Sequence, residues 1–367
     1  MTVVAVGRVA LGLVLASTVL AGCARFDDSA SSPFTPEPTF GGAQIGPSEP
    51  QAPSSTQRPT GPCIDPDPAV VATCLDPTAG LVAVGDGALV AERRTGRILK
   101  VVPEQPAVEI ARIDVDGSGD GGLNDLALSP TYREDGLIYA YITTGSDNRV
   151  VRIAAGGPPK EILTGIPKGA TGNHGALEFV TPEKLLVLTG DAGNPGAAQA
   201  PGTLAGKLLS ITDPRSGGGV RPETVLAGIG TAGDVCRDAV DGVWITDRTA
   251  TEDRLQRVGP DNVAITAWTW PDRPGVGGCA TTADGVAVAL SEARALALVA
   301  ADPASRAVTT APTIFVQDKY GRLNGATPGP DGAVWVGTVN KDGGQPGPND
   351  DRVVRIPPPA GGGGGPD

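Results

Sequence analysis

The sequence predicts an all-β chain folded as a six-bladed β-propeller, set behind a lipoprotein signal and a disordered tether. Three observations carry this. Glycine (53) and proline (35) are abundant among the 367 residues while valine, leucine and isoleucine stay plentiful, a balance that suits short strands and tight turns. No long stretch after residue 24 keeps a helical period of 3.6. A strand-turn-strand phrase returns six times, with copies starting near residues 81, 123, 174, 233, 277 and 323.

Each copy runs from a Gly-rich start through an apolar strand, an Asp-Gly or similar turn, a second strand, a loop and a third strand ending in Arg-Val or Arg-Ile. One reads Leu123 to Pro130, Glu134-Asp-Gly136, Leu137 to Ile142, then Asn148 to Ile153. Another pairs Asp241 to Asp247 with Asp253 to Val258, and the clearest pairs Pro330 to Thr338 with Asp351 to Ile356. Units of about 40 to 55 residues have the period of propeller blades. Two packed β-sandwiches are the alternative, which the regular return of one phrase disfavours. Trp244 and Trp335 hold equivalent strand positions in units four and six, so they read as blade core; Trp268 and Trp270 share one strand face, as core or as the rim of a sugar site.

Four segments follow along the chain: 1–22, 23–61, 62–357 and 358–367. Arg8, the apolar run Val9 to Leu20 and the tetrapeptide Leu20-Ala21-Gly22-Cys23 read as an export signal; the tetrapeptide resembles a bacterial lipobox, which implies that Cys23 is the lipidated first residue of the mature chain, a plain signal peptide or a short membrane helix being the alternatives. Residues 23–61 are Ser-, Pro- and Thr-rich, with too few apolar side chains to offset the entropy of ordering, and read as a tether. The propeller occupies 62–357, and the Gly-rich tail 358–367 is low-complexity. The expected location is the cell membrane, lipid-anchored on its extracytoplasmic face.

The remaining cysteines are Cys63, Cys74, Cys236 and Cys279, an even number in an exported and therefore oxidising setting, which favours disulfides. Connectivity is not fixed by sequence. The expected pairs are the close one, Cys63 with Cys74, and the distant one, Cys236 with Cys279, which would staple neighbouring blades. A net charge of −12 argues against nucleic acid, whose phosphates require clustered Lys and Arg. The expected partners are the membrane, through the lipid, and an envelope glycan or protein.

The chemistry concentrates in Thr171 to Ser210, which holds the only histidine, His174. After it come an apolar strand (Ala176 to Phe179), a turn, a second strand (Leu185 to Thr189), Gly190-Asp191, a polar loop and a third strand from Lys207. Asp191 and Asn194 offer oxygen atoms of the kind calcium accepts, although Asp and Asn in Gly-rich loops also serve simply as turn formers. Glu92, Asp125, Asp247 and Asp253 stand at similar strand ends. With no second histidine and the cysteines paired, a transition-metal site is disfavoured.

The phrases Gly122 to Pro130, Asn173 to Phe179, Gly190-Asp191 and Leu204 to Leu209 resemble the soluble quinoprotein glucose/sorbosone dehydrogenase family. The resemblance spans about residues 80 to 356 and is strongest in units two and three. It implies a six-bladed propeller that oxidises a sugar or aldehyde with pyrroloquinoline quinone, a histidine taking the hydroxyl proton, arginines holding the cofactor's carboxylates and calcium polarising the quinone. Residue by residue, Gly172 falls where the family has its histidine and His174 two positions later, on a family glycine. Ile229 to Gly233 lacks the arginine expected in unit four, and Arg322-Leu-Asn324 keeps one of two in unit six. His174 is thus the candidate base and Arg322 the candidate cofactor contact. The expectation is an eroded quinone site on a binding or scaffold module, with a PQQ-dependent sugar or alcohol oxidoreductase as the alternative.

Overall fold

The computed structural model describes residues 61–357, apart from 155, 216–219 and 239–241. The signal, Cys23, the tether up to residue 60 and the tail from 358 lie outside these residues. The first strand, β1 (Val70–Ala72), belongs to the last blade. Blade 1 is β2 (Thr78–Val84), β3 (Gly87–Glu92), β4 (Arg97–Val101) and β5 (Val108–Arg112). Blade 2 is β6 (Leu123–Leu128), β7 (Ile138–Thr143), β8 (Asn148–Ile153) and β9 (Lys160–Ile166), and blade 3 is β10 (Gly175–Thr181), β11 (Lys184–Thr189), β12 (Lys207–Thr212) and β13 (Glu223–Ala227). Blade 4 is β14 (Val235–Arg237), β15 (Val243–Arg248), β16 (Asp253–Val258) and β17 (Ala264–Trp270); blade 5 is β18 (Val276–Thr282), β19 (Gly285–Leu290), β20 (Ala295–Ala300) and β21 (Thr313–Phe315). Blade 6 is β22 (Leu323–Pro328), β23 (Val334–Thr338) and β24 (Val353–Ile356), completed by β1.

The all-β, six-bladed expectation therefore holds, and the six repeat starts fall at or close to the six innermost strands. One expectation is corrected: each unit has four strands rather than three. The fourth strands escape a reading based on apolar runs because they lie at the rim. In β5, Val108 to Ile110 and Arg112 are exposed, and β21 is three residues long. Second strands behave oppositely: every residue of β3 and of β19 is buried, because both sheet faces pack on neighbouring blades.

The ring closes where β1 pairs antiparallel with β24, Val70 opposite Val354, so the two ends of the propeller share one sheet. Apolar clusters fill the wedges between blades. Trp244, Leu255 and Trp270 of blade 4 meet Val276, Val286 and Val288 of blade 5, with Trp268 packed against them. Trp335 and Val353 of blade 6 meet Leu81, Val90 and Leu99 of blade 1. Trp244 and Trp335 are core, and the ring of Trp268 stands edge-on to that of Trp270 at 6.5 Å. Both expected disulfides form: Cys63–Cys74, Cα atoms 5.3 Å apart, and Cys236–Cys279, 6.0 Å apart, which joins the innermost strands of blades 4 and 5. Two short helices, α1 (Tyr132–Asp135) and α2 (Pro195–Gln199), sit in connections. Among the described residues no helix is long and apolar enough to cross a membrane.

Candidate functional site

Antiparallel pairing gathers the starts of innermost strands and the ends of second strands at one end of the ring. That end therefore carries His174 and Arg322, just before β10 and β22, with Arg93 and Glu292 just after β3 and β19 and Arg248 closing β15.

Arg93 is buried and anchors one side. Its Nη1 donates to the carbonyls of Gly121 at 2.5 Å and Gly119 at 3.0 Å, and its Nη2 pairs with Asp342. The loop it grips presents Asp120, whose carboxylate accepts from the Gly172 N–H at 2.6 Å and the Asn173 side chain at 2.7 Å. Gly172 has φ +73°, and a Cβ there would stand 2.5 Å from Asp191 Oδ1, so this tight backbone needs glycine. A side chain at position 172 is thus closed out by packing, and the imidazole stands two residues later, at His174. Burial chiefly, and then the positive charge of Arg248, push the His174 pKa down to about 4, with Asp120 opposing. The ring is therefore neutral at physiological pH.

Arg248 escapes a reading of the sequence because the arginine of unit four is expected at Ile229 to Gly233. Blade 4 carries an arginine at the far end of β15 instead. A signal existed: β3 and β15 both end in an acid followed by arginine, Glu92-Arg93 and Asp247-Arg248, and each acid binds an arginine of the next strand, Arg97 and Arg254. Arg248 lines a narrow axial cavity with His174, and its Nη2 reaches only the Ala232 carbonyl, at 3.3 Å. Its Nε is buried without a partner, as is that of Arg322. Arg322 donates Nη1 and Nη2 to Glu292 at 2.9 and 2.7 Å. Burial lowers the Arg248 pKa, opposed by the charges of Asp253 and Asp120.

Asp191 and Asn194 lie in the loop beside this end but do not converge. Asp191 Oδ1 accepts from Gly193 N at 2.9 Å and packs on Gly172, while Asn194 caps α2, its side chain accepting from Ala197 N at 3.3 Å. Both serve turn geometry. Of the other strand-end acids, Glu92 binds Arg97, Asp247 binds Arg254, and Asp253 accepts from Gly275 and Val276 N–H, all structural roles.

The sequence profile of the glucose/sorbosone dehydrogenase family matches residues 75–224. The chain is similar to the PQQ-bound aldose sugar dehydrogenase of Streptomyces coelicolor, with 27% identity over 78% of this chain and 96% of that one and a TM-score of 0.69. It is similar to a putative oxidoreductase (glucose dehydrogenase) of Thermus thermophilus, with 26% identity over 78% and 98% and a TM-score of 0.69. The soluble aldose sugar dehydrogenase of Escherichia coli, in its apo-form, shares the fold at 18% identity, covering 79% and 99%, with a TM-score of 0.66. No curated protein matches.

Proposed function

The chain is a glucose/sorbosone dehydrogenase-like six-bladed β-propeller, and from that premise we propose that it is an oxidoreductase acting on a sugar or related alcohol with a carboxylate-bearing quinone of the pyrroloquinoline type. The observation that carries this reading is the pair of buried, unpartnered guanidinium nitrogens, Arg248 Nε and Arg322 Nε, at the end of the ring that holds a neutral histidine. Buried donors without acceptors are costly, and carboxylates are the acceptors guanidinium groups bind best. The residues present therefore fit the acidic groups of such a quinone.

The bound quinone would supply a hydride acceptor. The chain's own residues do the rest. Arg248 and Arg322 hold the carboxylates. His174 takes the hydroxyl proton of the substrate, and its low pKa keeps the ring unprotonated and ready at neutral pH. Arg93 and Asp120 are positioning residues: one fixes the loop 117–121, and the other holds the backbone that precedes His174.

A second reading, a propeller that binds an envelope glycan or protein without turnover, is favoured by a specific observation. Arg93 and Arg322 are already closed onto Asp342 and Glu292. Titrating the purified protein with pyrroloquinoline quinone, while following melting temperature and dye reduction with a panel of aldoses, separates the two. A quinone-dependent melting shift with sugar-dependent reduction that His174→Ala abolishes supports the first; a protein inert to quinone supports the second.

We further propose that Cys23 carries the lipid and holds the propeller on the extracytoplasmic face of the membrane. The support is the Leu20 to Cys23 tetrapeptide together with two disulfides, which belong to an oxidising compartment. Cys23→Ala should move the protein from the membrane fraction to the soluble one; unchanged fractionation would refute the anchor.

A further inference from the structure

Below His174 the ring narrows to an axial waist, a cavity of about 30 Å³ whose lining includes Asn124, Asp125, Asp234 and Asn324. Neither acid is an ordinary surface carboxylate. Asp125 Oδ2 accepts from Leu177 N at 2.7 Å, bridging blade 2 to blade 3, and Asp234 Oδ2 accepts from Cys279 N at 2.9 Å, bridging blade 4 to blade 5. A Cβ on Gly80 would stand 2.1 Å from Asp125 Oδ1, so the bare glycine backbone admits this carboxylate to the axis. These bonds leave lone pairs on both carboxylates.

A second observation is independent of the acids. Asn124 is 7% exposed, and its Nδ2 donates to the Asn173 carbonyl at 3.2 Å, which fixes the orientation of the amide. Its Oδ1, the opposite terminus, is buried with no partner. An orphaned carbonyl-type oxygen in one cavity with two carboxyl groups that keep free lone pairs is an all-oxygen donor set that calls for a positive partner. We propose that the axial waist is a site for one hard divalent cation of the calcium class, taken by Asn124 Oδ1 and the carboxylates of Asp125 and Asp234.

The cavity decides between cations. Magnesium keeps several of its waters, whereas calcium exchanges them for carboxylate and amide oxygens, and a space near the size of one water has no room for a hydrated ion. Burial, reinforced by Asp234, raises the Asp125 pKa well above the usual carboxylate range, and burial raises that of Asp234 to about 7. Glu178 below, raised to about 8 by burial and Asp234, faces the same acids. Arg248 and His174 stand above, and Arg237 acts on Glu178. The cation site goes beyond the quinone reading and is separate from the Asp191 and Asn194 loop.

The test is equilibrium dialysis and thermal melting of the full-length protein with calcium alone, no quinone present. We expect one calcium retained per chain, a melting temperature raised by several degrees and a response to magnesium at least tenfold weaker. Asp234→Asn should weaken calcium binding at least tenfold. Should that variant not fold, Asn124→Ala should weaken it and Asn124→Asp tighten it. No retained calcium, which would leave water alone in the waist, an equal response to magnesium, or affinity unchanged in the folded variants overturns the proposal. Arg248→Ala should abolish a quinone-induced shift and leave the calcium shift in place, so failure of this site and failure of the quinone reading are read separately.

Discussion

Glu292 holds Arg322 by both terminal nitrogens, at 2.7 and 2.9 Å, across the gap between blades 5 and 6. The acid is 59% exposed and the arginine 20%, so the pair contributes little to stability. It does set the charge available at the candidate site, since any carboxylate ligand must compete with Glu292 for the same guanidinium. Glu292→Gln should therefore leave the melting temperature within about a degree while tightening pyrroloquinoline quinone several-fold by isothermal titration. Unaltered affinity would remove Arg322 from the binding set.

His174 is the only histidine, so its Hε1 signal is the one histidine Hε1 resonance in NMR. That resonance should titrate near pH 4 rather than near the usual 6.5, because burial and Arg248 oppose the charged form. The sign for stability follows. Between about pH 6.5 and 4 the unfolded chain binds a proton that the native ring refuses, so stability falls as pH drops through that window and levels off below it. The loss is on the order of 3 kcal/mol, and His174→Gln should flatten that part of the pH–stability curve. A midpoint at 6.5 would show a solvated ring.

The propeller was legible because each innermost strand opens a repeat. Residues 123, 174 and 323 mark β6, β10 and β22 to within one residue. Ring closure was not, since β1 and β24 stand about 280 residues apart and no local period records their pairing. At the site, His174 stood out by being unique. Arg248 did not, because an arginine after a strand-end acid reads as one more surface ion pair. Nor did the axial acids: Asp125 looks like a strand-end polar residue until the ring brings Asp234 toward it.

Lys207 starts β12 fully buried, and its Nζ donates to the carbonyls of Ala198 at 2.6 Å, Ala205 at 3.0 Å and Ala197 at 3.3 Å. It thereby clamps α2 and the loop 190–206 to the blade. Lys207→Met keeps the aliphatic stem but strands three carbonyls, so the protein should lose about 3 kcal/mol in urea unfolding. The loop should also become sensitive to limited proteolysis. A variant as stable as the parent would show that water replaces the ammonium at no cost.

The two disulfides constrain different amounts of chain. Cys63–Cys74 closes a separation of 11 residues beside the strand that completes blade 6, and Cys236–Cys279 closes 43 residues and ties blade 4 to blade 5 at the axis. Loop-closure entropy makes the first worth about 3 kcal/mol and the second about 4. The Cys236→Ser, Cys279→Ser double variant should therefore be the less stable of the two double variants. It should also be the more damaging to the site, because Cys279 N is the donor that holds Asp234 and the disulfide fixes the strands on either side of it. Urea unfolding of both double variants checks the order. Were removal of Cys63 and Cys74 to cost more, ring closure through β1 rather than blade-to-blade stapling would limit the stability of the propeller.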